Sequence, residues 1–219
     1  MEHLILEVGP FLDMASYVGV IAFALSAALV GAHKRMNVMG VVVMGAIVAV
    51  SGPAIRDVLL GITPVSWVIE PSYVFVAILA ALAVVPLSRI GVMSVLRQFR
   101  LVSLADAAGQ AVFVVIGAST ALAAGADEFA AILVGTVTGI AGGIIRDLLA
   151  GEVPDILVRG LHATAAVVGA ALFVFLDVNA LVPKDQAVGL AAMVGFGIRL
   201  IGIVLKLGMP TVVLKPPKA

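Results

Sequence analysis

The chain has no cysteine among its 219 residues and few charged side chains. The absence of cysteine excludes disulfide bonds, thiolate metal sites and thiol nucleophiles. Charged residues make up 12% of the sequence, against roughly 25% in soluble domains, and 13 basic residues balance 13 acidic ones. Because no net charge is available to attract a polyanion, we expect no nucleic-acid partner.

Hydrophobic residues dominate the rest of the sequence. They make up 63% of it, whereas soluble domains contain roughly 45–50%. A soluble domain of 219 residues has too little interior to bury so much apolar surface. The first three residues also lack the basic start of a secretory signal. The composition therefore predicts an integral membrane protein.

The residue patterns of enzymes are missing as well. The sequence has three histidines that do not cluster, and it has no paired catalytic carboxylates, no phosphate-binding loop and no nucleophile elbow. We therefore predict no enzymatic activity, no cofactor and no metal site.

Seven segments approach the roughly 20 apolar residues that a membrane-spanning helix requires. We predict one all-α membrane domain over residues 1–219, with spanning helices at 14–32, 38–61, 71–89, 101–124, 129–150, 160–178 and 187–207.

The charges between these segments alternate in sign. One set of connections carries His33, Lys34, Arg35, Arg89, Arg97, Arg100, Arg159, Lys206, Lys215 and Lys218. The other set carries Glu2, Glu7, Glu70, Asp127, Glu128, Asp177 and Asp185, with Lys184 as its one cation. Because cytoplasmic loops are enriched in Lys and Arg, this pattern predicts a plasma-membrane protein with its N-terminus outside and its C-terminus in the cytoplasm.

Two short stretches of the chain are nearly identical and lie 90 residues apart. Residues 51–61 read Ser-Gly-Pro-Ala-Ile-Arg-Asp-Val-Leu-Leu-Gly, and residues 141–151 read Ala-Gly-Gly-Ile-Ile-Arg-Asp-Leu-Leu-Ala-Gly. The same offset relates Gly19 and Phe23 to Gly109 and Phe113. The copies lie three helices apart, in the second and the fifth predicted spans, and an odd offset inverts one copy relative to the other. We predict an inverted 3+3 repeat, with repeat one at about 13–90, repeat two at about 101–180 and helix 7 outside the repeat.

Both repeated stretches place helix-disrupting residues inside a predicted span. Pro53 cannot donate a hydrogen bond to the carbonyl of Ala49, so the second helix should kink there. Gly52, and Gly142 with Gly143 in the fifth helix, allow the backbone to leave helical geometry. Freed carbonyls are tolerated in a membrane only inside protein or along a water-filled cavity, which favours a transport pathway. The alternative is close helix packing through small residues.

The same stretches hold the most costly residues of the sequence: Arg56, Asp57, Arg146 and Asp147. A charge at the membrane centre costs roughly 2.5–3.5 kcal/mol on insertion scales, so these residues line a pore or brace the fold. Because adjacent helical residues point about 100° apart, we do not expect either Arg-Asp pair to form its own salt bridge. From their depth in the predicted topology, we expect Asp13 to pair with Arg56 and Asp106 to pair with Arg146.

Other polar residues within the spans leave two interpretations open. Arg199 in helix 7 has no counterpart in the repeat and either faces a polar lumen or pairs across a subunit contact. The hydroxyls of Ser51, Thr136 and Thr138 either line a pathway or bond to their own helix backbones.

These features resemble those of the prokaryotic trimeric intracellular cation (TRIC) channels, a family that overlaps a group labelled as putative glycine transporters. The resemblance rests on the glycine-containing stretch followed by Ile-Arg-Asp-x-Leu-x-Gly and a proline, present twice, and on Phe23-Ala24-Leu25-Ser26. It implies a homotrimer in which each protomer has a potassium-conducting pore bounded by kinked second and fifth helices. The family has a glycine triplet at each break, whereas here Ser51 and Pro53 flank Gly52, which departs from a flexible glycine hinge.

The sequence thus favours a passive potassium-permeable channel with potassium ions, membrane lipids and further copies of the chain as partners. A secondary carrier for a small zwitterion such as glycine is the alternative, and a scaffold without transport is the third class. No ring of carboxylates lies deep in the predicted membrane, so any cation preference would rest on carbonyl and hydroxyl oxygens.

Overall fold

The computed structural model describes residues 10–89, 100–158 and 161–208, and every regular element in these ranges is a helix. The nine helices of the described ranges are α1 (Pro10–His33), α2 (Val38–Leu59), α3 (Ser66–Ile69), α4 (Ser72–Arg89), α5 (Leu101–Ala123), α6 (Glu128–Leu149), α7 (Asp155–Val158), α8 (His162–Val178) and α9 (Lys184–Leu205).

Five of these helices are long and apolar enough to cross a membrane, namely α1, α2, α5, α6 and α9. They coincide with predicted spans one, two, four, five and seven. Two shorter apolar helices, Ser72–Leu87 and His162–Val178, lie where the third and sixth spans were expected. The chain is therefore an all-helical, multi-pass membrane protein, and the count of seven spans stays a prediction.

The loop charges used to orient the chain are only partly within the described ranges. Glu2, Glu7, Arg97, Arg159, Lys215 and Lys218 lie outside the described residues, as does the side chain of Arg89. The orientation of the two termini stays a prediction.

Matching polar caps start α2 and α6. Asn37 Oδ1 accepts a hydrogen bond from the amide of Gly40 at 2.7 Å, and Asp127 Oδ1 accepts one from the amide of Ala130 at 2.8 Å. Each cap satisfies a backbone N–H that the first helical turn leaves without a partner.

Helices α1 and α5 pack through phenylalanine rings seated on glycines. A Cβ atom on Gly19 would lie 2.8 Å from the Phe113 ring, and a Cβ on Gly109 would lie 2.9 Å from the Phe23 ring. Both rings are almost fully buried and stack on each other, with centroids 5.5 Å apart and planes at 29°. As the residue number rises along one helix, its partner's number falls, so α1 and α5 run antiparallel.

Helices α2 and α6 cross in the same antiparallel way. A Cβ on Gly52 would lie 2.3 Å from the carbonyl oxygen of Thr138, and a Cβ on Gly142 would lie 3.2 Å from the carbonyl oxygen of Val48. Glycine is required at 52 because the backbone of the other helix occupies the position of a side chain. Gly52 therefore serves close helix packing, which was the alternative interpretation of the glycines.

The helical backbone runs without interruption through Pro53 in α2 and through Gly143 in α6. This corrects the expectation that the backbone leaves helical geometry at these residues. Tight packing against the opposite helix, seen at Gly52 and Gly142, holds each segment helical despite its weak intrinsic propensity. A kink without a break stays a prediction.

A short helix follows each repeated stretch, α3 after α2 and α7 after α6. Gly61 and Gly151 provide the turn into these segments, with φ of 68° and 71°, a left-handed conformation that glycine adopts without strain. The short helices bring Ser66 and Asp155 back beside the Arg-Asp pairs.

Candidate functional site

The first Arg-Asp pair is a closed local cluster. Arg56 Nε and Nη2 lie 2.8 and 2.6 Å from Asp57 Oδ1, and Nη2 also donates to Ser66 Oγ at 2.8 Å. The other carboxylate oxygen of Asp57 accepts from the amide and the hydroxyl of Ser66 at 2.6 and 2.5 Å. Arg56 is 4% exposed and Asp57 is fully buried, so the bonds between these two residues lie away from water, whereas those to Ser66 are partly buried.

These contacts correct two expectations. Arg56 does form a salt bridge with its own neighbour, because the long arginine side chain can turn back across the 100° between adjacent positions. Asp13, in contrast, forms no ion pair with Arg56 within the described residues. It lies instead in a cavity that Arg56 also lines.

The second pair belongs to a wider network. Arg146 bonds Asp147 through Nε and Nη2 at 2.9 and 2.7 Å, which again corrects the expectation for adjacent residues. Its Nη1 donates to Asp106 Oδ1 at 2.5 Å and to Ser26 Oγ at 2.8 Å. Asp147 Oδ2 accepts from the backbone amide of Asp155 at 2.9 Å. Arg146 therefore ties α6 to α1 and to α5.

Arg199 of α9 completes this network. Its Nη2 donates to Asp106 Oδ2 at 2.6 Å, and His162 Nε2 lies 3.9 Å from the same oxygen. Arg199 is 3% exposed, and its Nε has no hydrogen-bond partner within the part of the chain that the structure describes. This ion pair is internal to the protomer, and the two interpretations of Arg199, a polar lumen and a subunit contact, stay predictions.

The hydroxyls expected along a pathway donate to their own helices. Ser51 Oγ bonds the carbonyl of Val48 at 2.8 Å, Thr136 Oγ1 that of Ile132 at 2.8 Å and Thr138 Oγ1 that of Val134 at 2.6 Å. Of the two interpretations of these three hydroxyls, hydrogen bonding to their own helix backbones is therefore the one that the structure shows for their protons.

Three residues of the clusters, Ser26, Ser66 and Asp155, were not predicted from the sequence. Ser66 begins α3 and Ser26 lies within α1, and neither serine has a repeat counterpart with a hydroxyl. Ser26 stood in the stretch that resembles the family's first helix, and this was the one signal that could have drawn attention to it.

Two cavities lie beside the two arginines. The Arg56 cavity has a volume of about 40 Å³ and is lined by Asp13, Ser16, Pro53, Arg56, Trp67 and Phe113, among others. The Arg146 cavity has a volume of about 10 Å³ and is lined by Asp106, Gln110, Gly139, Gly143, Arg146 and His162, among others.

The two cavities lie on opposite sides of the helix crossing. Arg56 comes four residues after Gly52, and Arg146 comes four residues after Gly142, on helices that run antiparallel. At 1.5 Å of rise per residue, the two arginine backbones are separated by roughly 18 Å along the helix axes. The stacked rings of Phe23 and Phe113 lie between the cavities, and we call these two rings the aromatic seam.

Comparison with known proteins identifies the family. The model of a family described as "Glycine transporter" matches residues 13–89 and again residues 103–177. A "UPF0126 membrane protein" of Deinococcus radiodurans is 43% identical over 155 residues, which is 70% of this chain and 70% of that protein. A "UPF0126 inner membrane protein" of Escherichia coli K12 is 37% identical over 199 residues, covering 89% of this chain and 92% of that protein.

The fold of the chain is also similar to that of a solved structure. The TRIC trimeric intracellular cation channel orthologue from Rhodobacter sphaeroides superposes with a TM-score of 0.85 at 38% identity, over 91% of this chain and 100% of that chain. Its fold, its length and the family model agree with the motif resemblance. The chain belongs to the TRIC family of cation channels, a family of ion channels rather than enzymes, whose family model carries the glycine transporter description.

Proposed function

We propose that this protein is a potassium-permeable channel for monovalent cations, with one pore in each protomer of a homotrimer. Two cavities that approach one aromatic seam from opposite sides carry this proposal. The similar Rhodobacter sphaeroides protein is a trimeric cation channel by its description, which supports both the cation and the trimer.

The pore lies between two inverted repeats, at about 13–90 and 101–180, with α9 outside them. Reciprocal contacts support this arrangement. Phe23 packs on Gly109, and Phe113 packs on Gly19. Because Gly109 and Phe113 are the repeat counterparts of Gly19 and Phe23, each of these contacts is the counterpart of the other. Contacts of this self-complementary kind are what a twofold relation generates.

In this structure the seam is closed. Phe23 and Phe113 are 0% and 1% exposed, and the Phe23 ring also lies 3.3 Å from the position of a Cβ on Gly142. A hydrated ion cannot pass two stacked aromatic rings, so conduction requires the rings to separate. Pro53 and Gly143 line the cavities on the two sides, which supports the assignment of the helix-disrupting residues to the pathway.

The pore-facing charges are already balanced. Arg56 is held by Asp57, and Arg146 by Asp106 and Asp147, so neither guanidinium presents a bare positive charge to a passing cation. The motif arginines are therefore no electrostatic barrier to potassium. The orientation that follows from the loop charges puts the Arg56 cavity on the outer side of the plasma membrane and the Arg146 cavity on the cytoplasmic side.

A carrier for glycine is the second candidate, and the family model's description favours it. Such a carrier needs a guanidinium that can bind the carboxylate of the substrate. The two motif arginines are instead engaged by aspartates of the chain, which makes the channel the better-supported function.

The test is potassium flux from liposomes that contain the purified protein. We expect a potassium gradient to dissipate without a coupled ion, and Phe113→Leu to raise the flux several-fold because a smaller side chain loosens the seam. Phe173→Leu is the matched control, since Phe173 is equally buried but lies on α8 and is not one of the two stacked rings. Glycine exchange with no potassium flux, or equal effects of the two substitutions, would contradict the proposal.

A further inference from the structure

The Arg56 cavity contains a carboxylate that the fold does not use. Asp13 lies in the first turn of α1, is exposed and lines the cavity. Within the described residues it takes part in no ion pair, whereas Asp106, an acid of the other cavity, is held by Arg146 and Arg199. The carboxylate of Asp13 is therefore available to an occupant of the Arg56 cavity.

Two hydroxyl groups in the same cavity can offer only their lone pairs. Ser16 Oγ donates its proton to the carbonyl of Leu12 at 2.9 Å, and Thr120 Oγ1 donates to that of Ile116 at 2.8 Å. A hydroxyl has a single proton, so each oxygen can act toward an occupant of the cavity only as an acceptor. Acceptor oxygens coordinate cations and do not bind anions.

A backbone carbonyl adds to this set of oxygens. Pro53 has no N–H, which leaves the carbonyl of Ala49 without its usual helical donor. Ala49 and Pro53 both line the cavity. Pro53 therefore leaves the carbonyl oxygen of Ala49 as an acceptor beside the cavity wall.

The positive charge of Arg56 does not offset this preference. Its Nε and Nη2 are bonded to Asp57, which is fully buried and does not line the cavity. Counting Arg56, Asp57 and Asp13 together, the formal charge at the cavity is one negative. The rings of Trp67 and Tyr73 also line it, and aromatic faces attract cations.

We propose that the Arg56 cavity is a binding site for a monovalent metal cation, in which Asp13 supplies the charge and the oxygens of Ser16, Thr120 and Ala49 supply neutral acceptors. This deepens the proposed channel function, on which it rests, by placing the first cation-binding step at one mouth of the pathway.

The chain provides its own probe for this site. Trp67 is the single tryptophan of the sequence and lines the Arg56 cavity, so its fluorescence reports on that cavity alone. The purified full-length protein is titrated with KCl against N-methylglucamine chloride at constant ionic strength. We expect a saturable change in Trp67 emission with potassium.

Asp13→Asn removes the charge and keeps the shape of the side chain. We expect it to raise the half-saturating potassium concentration by about fivefold or more, the effect of one unit charge at 4 Å even in water. Asp185→Asn is the matched control, since Asp185 is also an exposed aspartate in the first turn of its helix, and we expect the wild-type curve.

The outcomes separate this site from the channel function. Potassium flux into liposomes with no saturable Trp67 response, or with an unchanged response in Asp13→Asn, overturns the site and leaves the channel intact. A saturable response without flux supports the site and contradicts the channel. A response to glycine but not to potassium overturns the cation site in favour of a zwitterion site.

Discussion

The two equivalent glycines, Gly52 and Gly142, should respond differently to the same substitution. A Cβ on Gly52 would lie 2.3 Å from the carbonyl oxygen of Thr138, roughly 1 Å short of ordinary contact, and a backbone atom cannot rotate away. A Cβ on Gly142 would meet the carbonyl of Val48 at 3.2 Å and the Phe23 ring at 3.3 Å, which a shift of a few tenths of an ångström relieves.

The expected magnitudes follow from two opposing effects. Overpacking a tight core costs about 1–3 kcal/mol, and Gly→Ala in a helix gains up to about 1 kcal/mol. Gly52→Ala should therefore lose a net of roughly 1–2 kcal/mol, which corresponds to about 2–8 °C in Tm for a chain of this size. Gly142→Ala should change Tm little, and its added methyl beside Phe23 should lower potassium flux.

Thermal unfolding of the detergent-purified oligomer, followed by size exclusion after heating, measures the first effect, and liposome flux measures the second. Gly189→Ala is the control, because Gly189 lies within α9 with nothing inside 4 Å of its Cβ position, so only the helix propensity changes. Equal Tm values for the Gly52 and Gly142 variants would refute the packing argument. Wild-type flux in a well-folded Gly142→Ala would refute the placement of this glycine at the pathway.

The remaining predictions concern the ion network and the helix caps. Asp106→Ala should cost about 3–5 kcal/mol, because it removes the ion-pair partner of the buried Arg199 and one of the two partners of Arg146. Adding Arg199→Leu should recover more of that loss than adding Arg146→Leu. The reason is that Arg146 keeps Asp147 as a partner; strict additivity in double-mutant cycles on Tm would contradict it. Asn37→Ala should cost about 1 kcal/mol through loss of the cap on α2, and an unchanged Tm would contradict that.

The long apolar helices were predictable because a membrane imposes a length and a composition on them. The predicted segment 101–124 became Leu101–Ala123, and 129–150 became Glu128–Leu149. The four-residue helices α3 and α7 were missed, since a single turn is too short to show a periodic pattern. Their positions matter, because they bring Ser66 and Asp155 to the Arg-Asp pairs.

The pairing of charges was only partly predictable. Depth in the predicted topology led to the Arg146–Asp106 contact, which the structure contains at 2.5 Å. The same reasoning failed for Asp13, because a sequence gives the depth of a residue and not the competing partners nearby. Arg199 is 93 residues from Asp106 and has no repeat counterpart, so nothing in the sequence connected the two.

The dependence of the second cluster on α9 has a consequence for how the protein is made. The buried charges of the described residues are Arg56, Asp57, Asp106, Arg146, Asp147 and Arg199, and their formal sum is zero. Without Arg199 the sum is one negative. The ribosome delivers α9 after every other described helix, so the growing chain holds an unbalanced charge among these residues until α9 enters the bilayer. Insertion of α9 is thus also the step that makes the formal charge of these buried residues zero.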